Sequence, residues 1–349
     1  MESQFLREHD MKKKIWLIAG LLCMGSLAFS LTTSFSAAGQ SDREENKIQY
    51  RHEMVNLLAD LRQYTKQQKQ SFLLLSNNGL TLLDPSDNPD EDVHRMRASV
   101  DGVLTESCHF GWDMKDDEAT PEESRKAMLE AAAWAKSSGL PVLNIDYCFS
   151  RNNVRTACQQ NKEDGLIGFA AKRRQLDVIQ QVPAESCKRD CLALQEVRSF
   201  LVLLNPEHYT TKEQYLGALQ RTNQDLLIID LIYGGVPLTG QEVETLKRKS
   251  DGSRRLVFAY MSVGEAESYR SYWRPEWNEK QPDWMDAANK DWTGSFKVKF
   301  WTKEWRSILY GSQDAYLDEI LAADFDGAFL DVVDAYEYFQ TKQEDAGQK

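Results

Sequence analysis

Residues 100–148, VDGVLTESCHFGWDMKDDEATPEESRKAMLEAAAWAKSSGLPVLNIDYC, decide the fold because they hold two apolar runs with a helix between them. VDGVL (100–104) and LPVLNI (140–145) are short, mainly apolar runs of the kind found in strands buried on both faces. PEESRKAMLEAAAWAKSSG (121–139) starts with a proline and acids and stops at a glycine, which is typical of a helix. A helix between two buried strands predicts a parallel βαβ unit.

The same pattern recurs along the chain. SFLLLSNNG (71–79) precedes this unit, and five further apolar segments that end in polar residues follow it: SFLVLLNP (199–206), DLLIIDL (225–231), RLVFAYMSVGEAE (255–267), FKVKFW (296–301) and FDGAFLDVVD (325–334). Eight parallel strands with helices between most of them predict an α/β fold, a TIM (β/α)8 barrel. An open Rossmann-like sheet is the alternative, but no GxGxxG motif follows any strand.

The composition favours one large folded domain. Of the 349 residues, 42% are hydrophobic and 28% charged, so a sizeable core is available and a disordered chain is excluded. The formal net charge of -12 argues against binding nucleic acid. It is compatible with a neutral or cationic partner, and equally with simple solubility.

The N-terminal residues predict export. MKKKIWLIAGLLCMGSLAFSLTTSFSAAGQ (11–40) has three lysines, an uncharged apolar stretch and then small residues. Residues 15–40 are also long enough to remain as an uncleaved membrane anchor. We therefore expect a secreted or periplasmic protein, with membrane attachment through this segment as the alternative. Residues 41–50 are polar and predict a linker, and residues 51–340 a single barrel domain.

The cysteines and histidines predict neither a metal site nor a disulfide scaffold. The five histidines show no ligand spacing, so we expect no metal and no cofactor. Beyond the signal the number of cysteines is odd, which leaves at least one free. The pairing is open: Cys108 could pair with Cys148, and Cys187 with Cys191 or Cys158.

Carboxylates stand where the predicted strands end, and in a TIM barrel those ends build the active site. Carboxylates without a metal-ligand cluster or a Ser-His-Asp set suit glycoside hydrolysis, in which one acid protonates the leaving oxygen and a second carboxylate attacks or activates water. Aromatic residues crowd the last third, where their rings can stack on sugars or pack in the core. The strand-end acids are Glu106, Asp146, Asp230, Glu265, Glu267, Asp331 and Asp334.

AYMSVGEAESYRSYW (259–273), NKDW (289–292), KFWTKEWRSILYG (299–311) and FDGAFLDVVDAYEYF (325–339) together resemble the bacterial branch of glycoside hydrolase family 114, the endo-α-1,4-polygalactosaminidases. The resemblance extends over residues 199–339 and implies a TIM barrel that cleaves an amino-sugar polysaccharide.

The order of the segments departs from that family. Segments resembling SNNG, DGVLTE and VLNIDY normally follow the fifth strand, whereas here they come first. This order predicts a circular permutation, in which residues 51–170 supply the last three strands of the family order, 171–198 a new connection and 199–340 the first five strands. The alternative is that the N-terminal third is a separate domain.

The resemblance places the two catalytic acids at Asp331, as nucleophile or base, and Glu106, as general acid. The non-catalytic alternatives are that Asp331 caps a helix or pairs with an arginine, and that Glu106 is a solvated acid in a loop. Within GEAESYR (264–270), Glu265, Glu267 and Arg270 are expected to hold substrate and orient the catalytic Asp, or else to form a buried salt bridge. The predicted substrate-binding set also includes Asn78, Asp146, Tyr147, Asp230, Tyr260, Trp301, Asp334 and Tyr336.

The resemblance thus implies an exported, endo-acting hydrolase of an α-1,4-linked galactosamine or N-acetylgalactosamine polysaccharide. The alternative function is a non-catalytic polysaccharide-binding barrel in exopolysaccharide processing or export.

Overall fold

The computed structural model describes residues 48–179 and 188–347. Within them, eight parallel strands form one nearly closed barrel, so the predicted α/β TIM-type fold is confirmed. The barrel strands are β1 Leu73–Asn77, β2 Gly102–Glu106, β3 Val142–Tyr147, β4 Ile167–Ala171, β5 Phe200–Leu203, β6 Leu226–Ile229, β7 Leu256–Ser262 and β8 Gly327–Asp331.

The helices of the described residues lie mainly between these strands. In the first of them, Met54, Leu57, Leu58 and Leu61 are spaced along one face, and all four are buried. The helices are α1 Tyr50–Gln68, α2 Asp90–Ser99, α3 Glu122–Ser137, α4 Arg151–Glu163, α5 Lys212–Gln220, α6 Gly240–Leu246, α7 Lys303–Leu309, α8 Tyr316–Ala322 and α9 Ala335–Gly347.

The strands follow one another around the ring in chain order, β5-β6-β7-β8-β1-β2-β3-β4. The first and last strands of the chain are therefore neighbours, with Leu73 opposite Gly327. Gly327 has no room for a side chain, because a Cβ there would lie 2.5 Å from the Leu73 carbonyl oxygen. At the ends of this order, Phe169 of β4 packs against Phe200 of β5 with ring centroids 5.5 Å apart.

One predicted barrel strand was wrong. Within residues 296–301, Phe296–Val298 belong to strand Ser295–Val298, which pairs antiparallel with Glu265–Glu267 and Met285–Ala288 in a small side sheet. The alternation of lysine with apolar residues there is typical of a half-exposed antiparallel strand. The eighth barrel strand is instead β4, which pairs with β3 and whose mostly small residues, IGFAA, give a weak apolar signal. Among residues 48–179 and 188–347, four barrel strands thus precede the 171–198 connection, not three, and four follow it, not five.

The circular permutation stays a prediction. The neighbouring positions of β1 and β8 are what a permuted chain requires. An unpermuted barrel also has its strands in chain order around the ring. The strand order therefore fits both a permuted and an unpermuted chain. The N-terminal third does not form a separate domain, because β1, β2 and β3 are part of the barrel.

The predicted export signal and most of the linker lie outside the described residues. No helix within residues 48–179 and 188–347 is long and apolar enough to cross a membrane. Four described cysteines, Cys108, Cys148, Cys158 and Cys191, are free thiols, so the suggested Cys108–Cys148 pair is absent. Cys187 lies outside the described residues.

Candidate active site

Two carboxylates and an amide meet at the C-terminal end of the barrel. Asn77 ends β1, Glu106 ends β2 and Asp331 ends β8, and all three side chains are buried. Because side chains alternate along a strand, these last residues point into the barrel together with Tyr147 of β3. The barrel thus brings together residues that are up to 254 positions apart in the chain.

Asn77 joins the two carboxylates. Its amide nitrogen donates to Glu106 Oε1 at 2.7 Å and to Asp331 Oδ1 at 2.7 Å. Because both oxygens contact the same nitrogen, they are at most about 5.4 Å apart. Two carboxylates at this distance can act on opposite sides of one glycosidic bond.

Glu106 has an environment that keeps a proton on it. Burial, assisted by the negative charge of Asp331, raises the pKa of the Glu106 carboxyl to about 7. The Tyr147 hydroxyl opposes this shift by donating to Oε2 at 2.5 Å. The Arg174 guanidinium, stacked 3.9 Å above the Tyr147 ring, also lowers this pKa. A carboxyl poised near neutral pH suits a general acid.

Asp331 accepts more hydrogen bonds than Glu106. Besides Asn77, the Tyr260 hydroxyl donates to Oδ2 at 2.9 Å and the Val332 backbone N–H donates to Oδ1 at 2.9 Å. Burial raises the pKa of the Asp331 carboxyl, and these three donors counteract that rise. Donors favour the ionised form, so Asp331 is the better placed of the two to act as a carboxylate.

The backbone turns sharply after each of these three site residues. Asn78, Ser107 and Val332, which follow Asn77, Glu106 and Asp331, have φ angles of 59°, 57° and 61°. Residues other than glycine rarely adopt this left-handed backbone conformation, and for a β-branched valine it is strained. Such strain accumulates where function requires a particular side-chain direction.

A second buried network supports Asp331 from behind. Arg270 pairs with Glu267 at 2.5 Å and with Asp230 at 2.7 Å, and the side chains of Arg270 and Glu267 are nearly inaccessible. The Tyr260 hydroxyl lies 3.1 Å from Glu267 and therefore connects this network to Asp331. Arg270, Glu267 and Asp230 thus form a buried salt bridge, the alternative to substrate binding considered for GEAESYR. This salt bridge orients Tyr260, which contacts the proposed nucleophile, Asp331.

Glu265 belongs to a neighbouring set of polar contacts. Lys297 of the side sheet lies 2.7 Å from it, and the Asn289 amide donates to it at 2.8 Å. The positive charge of Lys297 also lowers the pKa of Asp331 and Asp334. The side sheet therefore brings a cation close to the carboxylate cluster.

A pocket of about 330 Å³ opens beside Glu106. Asp334 lines it and accepts a hydrogen bond from the Asn78 amide at 2.9 Å. Burial and the charges of Glu337 and Asp331 raise the pKa of Asp334 to about 8. The remaining lining includes two tryptophans, Trp112 and Trp292, an arginine, Arg174, and the acids Asp113, Asp291 and Glu337.

The C-terminal part of the barrel matches a known protein family. Residues 214–349 match the family model of glycoside-hydrolase family GH114. The family indicated by the sequence is therefore confirmed for this part of the chain, which contains Asp331 and the GEAESYR segment. The match supports a glycoside hydrolase.

Curated relatives that match part of this chain bear the name uncharacterized protein. One from Methanocaldococcus jannaschii is 34% identical over 134 residues, 38% of this chain and 36% of the relative. Another, from Deinococcus radiodurans, is 35% identical over 123 residues, 35% of this chain and 37% of the relative. The matches thus span about a third of the length of these relatives.

A solved structure of a U32 peptidase is also similar. It covers 75% of this chain and 92% of its own, with 11% identity and a TM-score of 0.31. These values are too low to bear on fold or function.

Three predicted substrate-binding residues lie away from the cluster of Asn77, Glu106 and Asp331. Asp146 neighbours Tyr147 in β3, so it points to the opposite face, toward the helices, where the Asn161 amide donates to it. Its predicted place among the substrate-binding residues was therefore wrong. Trp301 packs between Tyr50 and Phe339, with ring centroids 4.9 and 4.7 Å away.

Tyr336 is the third of these residues. It is fully buried, with its hydroxyl 2.5 Å from Thr81 and the Arg51 guanidinium 5.2 Å from its ring centroid. Most tryptophans of the last third likewise pack on one another, as Trp277, Trp284 and Trp305 do. Their density reflects core packing more than ligand stacking.

Three site residues were missed by the sequence analysis. Asn77 stands next to the predicted Asn78, but a strand buried on both faces gives no alternation from which to choose between them. Arg174 belongs to the KRR run at 172–174, which resembles a solvated surface run. Lys297 was not predicted as a site residue because residues 296–301 were assigned to a barrel strand and not to the side sheet.

Asp146 has a structural role that can be tested. It accepts the backbone N–H groups of His109 and Phe110, at 2.8 and 3.0 Å, and the amides of Asn144 and Asn161. Asp146→Ala leaves these buried donors unpaired, so we expect unfolding free energy to fall by about 3–5 kcal/mol. Urea denaturation measures the loss. The exposed Glu118→Ala should change stability by less than about 0.5 kcal/mol, and equal effects of both substitutions would contradict the assignment.

Proposed function

We propose that this chain is an exported, endo-acting glycoside hydrolase that cleaves an α-1,4-linked galactosamine or N-acetylgalactosamine polysaccharide. Asp331 is the nucleophile and Glu106 the general acid. The observation that carries the proposal is the shared Asn77 contact, which holds two buried carboxylates close together at the end of the barrel where such sites form. The GH114 match of residues 214–349 supports the same chemistry.

The proposed reaction has two steps. Ionised Asp331 attacks the anomeric carbon while Glu106 transfers its proton to the leaving oxygen, so that one glycosidic bond breaks and a glycosyl ester forms. Glu106, now ionised, then takes a proton from water, which hydrolyses the ester and restores both groups. The bound of about 5.4 Å on the nearest oxygens favours this double displacement, in which the carboxyls are about 5–5.5 Å apart, over direct attack by water.

The charge of the pocket supports an amino-sugar substrate. Asp113, Asp291 and Glu337 line it, against one arginine, Arg174. An unacetylated amine on a sugar is cationic at neutral pH and would be attracted to this surface. Trp112 and Trp292 offer flat apolar surface for a sugar ring.

Export rests on the sequence of residues 11–40 alone. The lysines, apolar stretch and small residues support a secreted or periplasmic location, with the uncleaved segment as a membrane anchor in the alternative. Cell fractionation with an antibody to the barrel distinguishes the two, because an anchored chain stays with the membrane after a high-salt wash.

The proposed function is tested by product analysis. Purified full-length chain in detergent is incubated with partly deacetylated α-1,4-linked galactosamine polymer, and products are followed by mass spectrometry and early proton NMR. We expect a ladder of oligosaccharides whose new reducing ends first appear in the α configuration. Binding without release would instead support the polysaccharide-binding barrel, and first appearance of the β anomer would refute the double displacement.

A further inference from the structure

Asn77 contacts both proposed catalytic carboxylates, yet neither reaction step uses it. Its side chain is fully buried on β1, between β2 and β8, the strands that carry Glu106 and Asp331. An amide nitrogen has two hydrogens, and the two 2.7 Å contacts assign one to each carboxylate. The amide therefore serves both groups simultaneously.

The geometry points to Asn77 as a positioning residue that sets the spacing of Glu106 and Asp331 and the protonation state of each. This inference rests on the proposed function of the two carboxylates.

The orientation of the amide is determined by the carboxylates. The Asn77 carbonyl oxygen has no hydrogen-bond partner within the part of the chain that the structure describes. Turning the amide over would place this oxygen against the oxygens of Glu106 and Asp331, and acceptors repel one another. An unmet buried acceptor costs about 1–3 kcal/mol, a cost that the two donated bonds must offset. The pair of contacts thus outweighs a local penalty.

Asn77 also acts on the proton equilibria of the pair. A donor stabilises the ionised carboxylate, and the Asn77 contact lowers the pKa of Glu106 and that of Asp331. Burial raises both, and the ionised Asp331 raises that of Glu106 further. Without the amide, the pKa-lowering effect of its hydrogen bonds is lost while burial still raises the pKa of both carboxyls. We therefore expect the pKa of Glu106 and that of Asp331 to rise.

Other charged and titratable groups face the pair from the surrounding elements, and they remain in place when Asn77 is changed. They are Tyr147 of β3, Arg174 after β4, Tyr260 of β7, Glu265, Glu267 and Lys297 of the side-sheet region, and Asp334 before α9. The contribution of Asn77 can therefore be measured separately.

The test compares Asn77→Ala and the isosteric Asn77→Asp with the wild type. We expect kcat to fall by about 10–100-fold, because the carboxylates lose their common support. Both limbs of the pH profile of kcat/KM should move to higher pH by about 0.5–1 unit, with the larger shift in Asn77→Asp, which adds a third carboxyl. KM should change little, since Asn77 is not among the pocket-lining residues.

Asn144→Ala is the matched control. Asn144 is equally buried on a barrel strand, but its amide contacts Asp146 and Asn161 on the helix side. It should lose stability and keep the wild-type pH limbs. If the Asn77 variants keep those limbs too, the role is structural and the inference fails.

A readout without substrate separates this inference from the proposed function. Carbon NMR of full-length chain labelled in Asp and Glu carboxyls follows the titration of Glu106 and Asp331 directly, with Asp331→Asn and Glu106→Gln for assignment. Raised midpoints in Asn77→Ala, which removes the donor and adds no charge, support the inference even if the wild type cleaves no polymer. Unchanged midpoints overturn it even if cleavage is observed. If Asn77→Ala does not fold, the similarly sized Asn77→Leu, which also lacks a donor and a charge, takes its place.

Discussion

Asp331→Asn is expected to lower kcat by about 10⁴-fold, because it removes the carboxylate that attacks the anomeric carbon and keeps the shape of the side chain. The folded state should survive. Burial raises the pKa of Asp331, which means that its charge destabilises the fold, so the neutral variant should melt at the same temperature as the wild type or higher. Single-turnover assays on polymer and a thermal melt measure the two effects.

Asp334→Asn is the control for this substitution. Asp334 lines the same pocket and contacts Asn78. Because burial and neighbouring acids raise the pKa of Asp334 to about 8, its carboxyl is mostly neutral at pH 7. Asp334→Asn should therefore reduce kcat/KM much less than the loss of Asp331 does. Equal losses, or an Asp331→Asn variant within tenfold of the wild type, would show that Asp331 is not the nucleophile.

Glu106→Gln is expected to reduce kcat/KM on the polymer by about 10²–10⁴-fold and to remove the alkaline limb of the pH profile. The sign follows from the role: Glu106 must carry a proton, so wild-type activity falls as pH rises through the pKa of about 7. An aryl glycoside with a good leaving group needs little protonation, and its cleavage should fall far less. Rates of both substrates from pH 5 to 9 make the comparison.

Tyr147→Phe refines the assignment of the acid. The Tyr147 hydroxyl lowers the pKa of Glu106 by hydrogen bonding, so its removal should move the alkaline limb to higher pH while the variant stays active. A wild-type alkaline limb that persists in Glu106→Gln would mean that another group is the acid.

Sequence patterns predicted much of the fold because buried parallel strands are short and apolar. Seven of the predicted strands, from SFLLL (71–75) to FDGAFL (325–330), coincide with barrel strands of the described residues. The pattern failed at residues 167–171, where small residues give a weak signal, and at 296–301, where two lysines alternate with apolar residues. Alternation and composition are local properties, so they cannot say which sheet a strand joins.

Resemblance and position at strand ends predicted Glu106 and Asp331 as the two acids, but not how they are held. Asn77, Arg174 and Lys297 come from three different elements, and nothing local to any of them indicates the others. The opposite faces of Asp146 and Tyr147 show the same limit. One of two adjacent strand residues faces the site, and in a strand buried on both sides the sequence does not say which.

The sequence by itself determined the class of fold, the acidic character of the strand ends and the family of the C-terminal segment, because these depend on which residues are present and in what order. The tertiary structure decided that Glu106 and Asp331 share one amide and that buried carboxylates neutralise Arg270. It also decided which aromatic rings pack against each other and not against a ligand. Those outcomes depend on the distances between side chains on strands that are far apart in the chain. The barrel brings such strands next to one another, as it does β8, β1 and β2.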